Sequence, residues 1–160
     1  MCIRDRFKYD GTKGDFLFSK KNNEGKSFSI RATNVASGIK SFGIIQLLYQ
    51  AEILDKNSLL IIDEPETHLH PKWQIEYAKI LVALVKKGIP ILIASHSPYI
   101  IQALKVFSED LNENKRSSNK VNFYLSTVGE DGMSTISNVN DNMNLLFSKL
   151  SQPLQNLVWA

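Results

Sequence analysis

Cysteine is almost absent from the sequence, which has a single one, Cys2, in 160 residues. One cysteine cannot form an internal disulfide, so the class of small disulfide-stapled domains is excluded. Long apolar runs are also missing, and residues 59–62 and 91–94 are among the longest. A membrane-spanning helix needs roughly 20 apolar residues, and no charged leader precedes a secretory apolar stretch. We therefore expect a cytoplasmic protein with no membrane partner.

No charge of one sign dominates, because 19 basic and 16 acidic side chains leave a net charge of +3. This balance permits contact with phosphates without predicting a nucleic-acid binder. The chain is 43% hydrophobic and 22% charged, which excludes disordered and collagen-like classes. Residues 1–6 show no periodicity and are interpreted as a non-native leader, so residues 7–160 are expected to form a single domain.

Hydrophobic periodicity predicts an α/β fold, a largely parallel sheet flanked by helices with antiparallel hairpins near both chain ends. The first hairpin lies within residues 15–30, with its turn at Asn22, Asn23 and Gly25, and the second lies within residues 121–139. Residues 144–150 predict a closing helix. Ser37 is a suitable N-cap for an earlier helix, whose predicted buried stripe is Ile39, Phe42, Ile45, Leu48 and Leu54.

A strand, a helix and a second strand form the centre of the predicted fold. The apolar run that ends at Asp63 is typical of a strand covered on both faces, and Pro71 opens the helix that follows. Residues 89–94 predict the second strand, and Ser97 caps a third helix through about Lys105, before a loop or frayed end at 108–120. Because the two strands of such a unit are parallel, their carboxyl ends meet at one edge, where open α/β sheets bind ligands.

Candidate catalytic residues lie at this edge. Asp63 and Glu64 suit phosphoryl transfer, because one carboxylate can hold Mg²⁺ while the next accepts a proton from an attacking water. Successive strand residues point to opposite faces, so the two roles separate only if the chain turns at Glu64, which Pro65 encourages. His96, after the neighbouring strand, can donate a hydrogen bond to a phosphate oxygen or to the water.

An anion site is predicted at the start of the helix that begins near residue 37. Ser37 offers a hydroxyl, Gly38 an unhindered amide and Lys40 a charge, at a helix N-terminus that attracts anions. Each of these features also has a purely structural interpretation. The acids can simply end a strand in solvent, the histidine can cap a helix, and the Ser-Gly pair can do the same.

Taken together, these segments resemble the second half of an ABC-type ATPase head, from the branch of RecF, SMC and OLD-like proteins often grouped with AAA-family ATPases. The resemblance covers about residues 34–104, and the block at 63–71, Asp-Glu-Pro-Glu-Thr-His-Leu-His-Pro, is especially similar to OLD and defence-associated heads. It implies ATP and Mg²⁺ as ligands, with Asp63 as the Walker B magnesium ligand, Glu64 as the general base and His96 as the switch histidine.

The same resemblance implies that two heads sandwich ATP. Ser37 and Gly38 are similar to the signature motif that contacts the γ-phosphate bound by the partner head, and residues 67–70 lie where the D-loop lies. The signature departs from Leu-Ser-Gly-Gly-Gln, because Ile39 replaces the second glycine and Lys40 the glutamine. A lysine there can add charge toward a phosphate.

The phosphate-cradling loop, Gly-x-x-x-x-Gly-Lys-Ser/Thr, is not found in the sequence. Gly25-Lys26-Ser27 imitates its end, but Lys20 occupies the first glycine position and the run lies in a predicted hairpin. The chain is therefore expected to be the C-terminal half of a longer head, inactive without its Walker A half. In this branch ATP hydrolysis serves DNA repair or phage defence, and DNA or an effector domain is a further expected partner.

Two alternatives stay open. The first is a metal-dependent hydrolase, because the carboxylate and imidazole groups that such sites use are present: Asp63, Glu64, Glu66, His68, His70 and His96. The second is an interaction module without catalysis.

Overall fold

The computed structural model describes residues 6–12, 14–21, 26–112 and 121–158. The strands in chain order are β1 (Arg6–Asp10), β2 (Asp15–Lys21), β3 (Ser27–Arg31), β4 (Leu60–Asp63), β5 (Ile91–Ala94), β6 (Tyr124–Val128) and β7 (Ser134–Asn138). The helices are α1 (Ser37–Gln50), α2 (Pro71–Lys86), α3 (Pro98–Asn112) and α4 (Met143–Val158). The α/β fold with antiparallel hairpins near both ends is thereby confirmed, with a parallel pair of strands between them.

Strands β4 and β5 form a two-stranded parallel sheet connected through α2. Their register pairs Asp63 with Ala94, so both strands end at the same edge, as predicted. Alternate side chains point toward the helices, whereas Leu59, Ile61 and Leu92 are more than half exposed. The expectation that both faces are covered is therefore wrong within the described residues, because the helices there supply apolar side chains to one face only.

The main core lies between the covered face of this sheet and the helices. Phe42 of α1 meets Tyr77 of α2 edge to face, with ring centroids 5.0 Å apart. Burial raises the pKa of Tyr77 to about 12, so its hydroxyl stays protonated at neutral pH. The predicted stripe of α1 holds at Phe42, Ile45 and Leu48, whereas Ile39 is 39% exposed, since Gly38 beside it packs against the chain. Leu54 is buried as predicted but lies beyond the end of α1 at Gln50. The buried members of this core are Phe42, Ile45, Leu54, Tyr77, Leu81, Leu84 and Ile89.

The N-terminal sheet is antiparallel, in the order β1-β2-β3. Strands β2 and β3 correspond to the predicted hairpin, and its predicted turn residues 22–25 lie outside the described residues. Strand β1 is an addition to that hairpin and begins at Arg6, whereas residues 1–5 lie outside the described residues, so the leader stays a prediction. Phe7 connects this sheet to α1, because its N–H donates to Gln46 Oε1 at 3.2 Å and its ring lies against Gly43.

The C-terminal part begins with a longer α3 than predicted. The helix continues past Lys105 to Asn112, because packing outweighs the polar composition there: Ser108 is buried, and its hydroxyl donates to the Lys105 carbonyl at 3.0 Å. The remainder of the predicted loop, residues 113–120, lies outside the described residues. The β6–β7 hairpin is confirmed, and α4 extends the predicted closing helix in both directions. Among the described helices, none has the length and apolar character needed to cross a membrane.

Candidate functional site

The carboxyl end of β4 presents two acidic side chains where the strand leaves the sheet. Asp63 is the last residue of β4, and its side chain is exposed. Glu64 donates its backbone N–H to the Ala94 carbonyl at 2.9 Å, and its φ of 45° lies in the left-handed region. Residues other than glycine adopt this conformation rarely, so the chain departs sharply from the strand direction at Glu64. The predicted turn is therefore confirmed.

A tight turn then leads from Glu64 to α2. The Thr67 N–H donates to the Glu64 carbonyl at 3.1 Å, and the Leu69 N–H donates to the Glu66 carbonyl at 2.9 Å. The Thr67 hydroxyl also donates to Glu64 Oε2 at 3.4 Å. His68 has a φ of 63°, a second left-handed position within the same turn. Backbone strain of this kind clusters at functional sites, where the surrounding structure holds it in place.

Glu66 is the buried acid of this turn, with 7% of its surface exposed. Its Oε2 accepts a hydrogen bond from the Ser95 hydroxyl at 2.8 Å, and its Oε1 accepts one from the His96 backbone N–H at 2.8 Å. Both donors lie in the loop between β5 and α3. The Glu66 carboxylate therefore joins the two loops that leave neighbouring strands at the carboxyl edge.

His96 and Glu64, which the sequence predicts as partners, are brought together here. Nδ1 of His96 lies 3.5 Å from Glu64 Oε1 and 3.3 Å from Glu66 Oε1. The side chains of His96 and Glu64 are 69% and 56% exposed, so both are accessible to a ligand. A carboxylate able to accept a proton and an imidazole able to bind a phosphate or water therefore share one open edge.

A series of buried hydrogen bonds connects the segments next to this edge. The Ser97 hydroxyl donates to Gln74 Oε1, and Gln74 Nε2 donates to the Leu69 carbonyl at 2.9 Å. Ser97 Oγ in turn accepts from the Ile100 N–H at 3.5 Å, which confirms the predicted cap of α3. The start of α3, the body of α2 and the end of the turn are thus linked through side chains that are nine-tenths buried.

Helix α1 brings the other predicted residues to the opposite side of the turn. Gly38 is buried, and a Cβ added to it would lie 2.7 Å from Leu69 Cδ2 and 2.8 Å from the His68 carbonyl oxygen. The N-terminus of α1 therefore lies directly against the segment that follows Asp63 and Glu64. Ser37 is exposed and Lys40 is half-buried, both in the first turn of the helix.

The prediction that Ser37 is the N-cap of α1 is wrong. The N-cap is Ala36, whose carbonyl accepts hydrogen bonds from the backbone N–H groups of Ile39 (3.0 Å) and Lys40 (3.2 Å). Extended backbone geometry at Ala36 shifts the start of the helix one residue earlier. Ser37 is thereby placed as the first helical residue, with its side chain directed to solvent.

The donor set at the edge suits magnesium. Asp63 offers exposed carboxylate oxygens, and Mg²⁺ is usually held by one or two carboxylates together with waters and substrate phosphates. One histidine of the alternative hydrolase site has a structural role, because His70 Nδ1 accepts the Lys72 N–H at 3.3 Å and caps α2. In the part of the chain that the structure describes, no three His, Cys, Asp or Glu side chains form a metal-binding group.

Sequence reasoning missed the hydrogen bonds that organise the edge. Glu66 is predicted only as a possible metal ligand and Ser97 only as a helix cap, while Ser95 and Gln74 have no predicted role. These hydrogen bonds join segments about 20 to 30 positions apart, for which single-sequence periodicity carries no signal. The repeated carboxylate in Asp-Glu-Pro-Glu, so close to a strand end, is the one local hint.

Comparisons with known proteins bear on the fold and the family of this chain. A protein of Bacillus thuringiensis, Septu protein PtuA, is 34% identical over 55 residues, which are 34% of this chain and 14% of PtuA. The chain thus spans only a small part of that relative. A solved structure from work on ATP-driven dimerisation and DNA-stimulated activation of SMC ATPases covers 91% of this chain and 80% of its own, with a TM-score of 0.59 and 11% identity. That likeness shows a shared fold.

The family assignment comes from the sequence itself. The model of the AAA ATPase domain family matches residues 3–101, which is more than half of the chain. The match includes α1, the whole β4–α2–β5 unit and the loop that carries His96. The expected resemblance to an ATPase head is confirmed, and the chain belongs to the AAA ATPase domain family.

Proposed function

We propose that this chain is the C-terminal part of a cytoplasmic, dimerising ATPase head that binds and hydrolyses ATP with Mg²⁺. The observation that carries the proposal is the convergence of Glu64 and His96, 3.5 Å apart, beside Asp63 at the carboxyl edge of β4 and β5. Open α/β sheets bind their ligands at this edge. Membership of an ATPase family supplies the substrate class.

Three residues divide the work at the proposed site. Asp63 binds Mg²⁺ as the Walker B acid, and the bound ion would supply charge stabilisation for the triphosphate. Glu64 accepts a proton from the attacking water, and the turn at this residue carries its side chain away from the strand direction. His96 contacts the γ-phosphate, because its ring is exposed at the same edge.

Helix α1 is proposed to serve the other head of the dimer. Ser37, with Gly38 and Lys40, lies at a helix N-terminus, where backbone N–H groups and the helix dipole favour an anion. The exposed side chain of Ser37 supports contact with a nucleotide held by a partner. Work on the SMC ATPases that share this fold concerns ATP-driven dimerisation, which supports a homodimer that sandwiches ATP.

The role of hydrolysis is proposed from the relatives. DNA-stimulated activation is described for the SMC ATPases, and PtuA is a Septu protein, so we propose a part in DNA repair or phage defence, with DNA or an effector domain as partner. The sequence contains no phosphate-cradling loop of the Walker A type. We propose that a preceding half supplies it, and that the isolated chain is inactive.

The test is a set of variants in the head completed by its Walker A half. Glu64→Gln keeps the shape of the side chain but cannot accept the proton, so turnover should fall by about 10²- to 10⁴-fold while ATP binding and dimerisation persist. Asp63→Asn should lower both nucleotide affinity and turnover. Ser37→Arg should leave ATP binding by a single head unchanged and block dimerisation.

Turnover and ATP-dependent light scattering are measured for each variant. Glu76→Gln is a matched control, because this exposed acid of α2 pairs with Lys79 and lies outside the proposed site. Parental turnover in Glu64→Gln would show that Glu64 is not the base, and the proposed mechanism would then fail.

A further inference from the structure

We propose that Glu66 is a positioning residue that sets the orientation and proton location of the His96 ring. The inference rests on the proposed function only in that the ligand of the His96 ring is taken to be a nucleotide. Its structural basis is the double contact of one carboxylate with one residue: Glu66 Oε1 lies 2.8 Å from the His96 backbone N and 3.3 Å from His96 Nδ1. The backbone and the ring of His96 are therefore held against the same oxygen.

Glu66 is the rigid member of this cluster. It is 7% exposed, whereas the side chains of Glu64 and His96 are both more than half exposed. The second oxygen of Glu66 is held by the Ser95 hydroxyl, and Ser95 Oγ accepts the Ser97 N–H at 3.1 Å. A buried carboxylate needs such donors, because leaving its oxygens unsatisfied would be costly. The anchor of the ring is thus tied to the first turn of α3.

The acceptors near the His96 ring determine which of its two nitrogens carries the proton. Nδ1 of His96 lies 3.3 Å from Oε1 of Glu66 and 3.5 Å from Oε1 of Glu64. An unprotonated ring nitrogen this close to two carboxylate oxygens would be repelled by both, so the proton is assigned to Nδ1. Nε2 is then the nitrogen left to meet a ligand. In the neutral ring it accepts a hydrogen bond, in the imidazolium it donates one, and in both forms Nδ1 keeps its proton.

His70 provides the opposite case in the same chain. Its Nδ1 accepts the backbone N–H of Lys72, so in the neutral ring the proton must lie on Nε2. The structure therefore assigns opposite tautomers to His70 and His96. This contrast gives an internal standard for the measurement.

The experiment is a long-range ¹H–¹⁵N correlation spectrum of the full 160-residue chain, without nucleotide or metal. The pH is about 8.5, above the usual histidine pKa. We expect a protonated, pyrrole-type shift at Nδ1 of His96 and an unprotonated, pyridine-type shift at Nδ1 of His70. Glu66→Gln should retain the His96 pattern, because its amide oxygen still accepts. Glu66→Met should move the proton to Nε2, because the buried acceptor is lost and the carboxylate that remains near Nδ1, that of Glu64, is more than half exposed to water.

Glu64→Gln is the matched control and should leave the His96 tautomer unchanged. A pyridine-type Nδ1 at His96 in the unmodified chain would overturn the proposal, even if Glu66→Met does not fold. It would also be overturned if Glu66→Met kept the pyrrole-type shift, or if Glu64→Gln alone moved the proton. Because no nucleotide is present, these outcomes are independent of whether the completed head hydrolyses ATP.

Discussion

Gly38 marks the closest approach between α1 and the turn that carries the candidate catalytic residues. A side chain at this position has no room, because a Cβ would lie 2.8 Å from the His68 carbonyl oxygen, which belongs to the backbone and cannot rotate away. The smallest residue is therefore required here for packing in this chain itself. This requirement is separate from any contact of Gly38 with a partner's nucleotide.

Gly38→Ala should lower the free energy of unfolding by about 1–3 kcal/mol, because the added methyl group forces α1 away from the turn. The measurement is the urea denaturation of the isolated chain, with unfolding monitored by circular dichroism. Gly11→Ala is the control, since the nearest atom to a Cβ there, Tyr9 Cε1, is 4.0 Å away. Equal midpoints for the two variants would contradict the close packing of α1 on this turn.

At the same scale, residue type and position at a strand end were enough to predict which side chains meet. Glu64 and His96 both follow apolar strands, and parallel strands end at one edge, so their proximity follows from topology. Glu66 could not be found in this way. Its burial depends on the loop after β5, which contacts the turn. The local pattern of residue types in the sequence carries no information about such tertiary contacts.

At the scale of elements, the parallel sheet has one covered and one open face. The open face carries Ile61 (65% exposed) and Leu92 (57%), which are paired neighbours on β4 and β5, and Leu59 (58%) lies directly before β4. Parallel sheets are normally covered on both sides, and adjacent exposed apolar side chains form a patch of the kind that binds apolar ligands. The isolated chain should therefore bind a hydrophobic dye at this face.

The double variant Ile61→Thr/Leu92→Thr should reduce the fluorescence of bound anilinonaphthalene sulfonate, because threonine keeps strand propensity while adding a polar group. Leu157→Gln is the control, since this leucine is 77% exposed on α4 and belongs to a different element. Dye fluorescence unchanged in the double variant, or lowered equally by Leu157→Gln, would show that the sheet face is not the binding patch.

The same face shows where element prediction reached its limit. Apolar runs correctly gave two parallel strands, and helical spacing gave α1 and α2, because both signals depend on residues close in sequence. Whether a strand is covered on both faces depends on what other segments provide, so that expectation was wrong. The polar composition after Lys105 predicts a loop, whereas Ser108 is buried by packing and α3 continues to Asn112.

At the scale of the whole molecule, the site is open because few segments converge on it. The described edge contributes Asp63 from the end of β4, Glu64 from the turn that follows it and His96 from the loop after β5. In an ATP site most contacts to the β- and γ-phosphates come from backbone N–H groups of a glycine-rich loop and from its lysine. Since no such loop occurs in the sequence, the proposed site lacks its main source of triphosphate affinity.

We therefore expect the 160-residue chain to show no micromolar binding of Mg-ATP in titration calorimetry. The head completed by its Walker A half is the positive control, because it adds the missing phosphate contacts without changing the edge formed by β4 and β5. Micromolar binding by the isolated chain would contradict the proposal that a preceding half is needed. Lys26 in Gly25-Lys26-Ser27 would then be the cation to test, and Lys26→Ala should abolish that binding if this run held the phosphates.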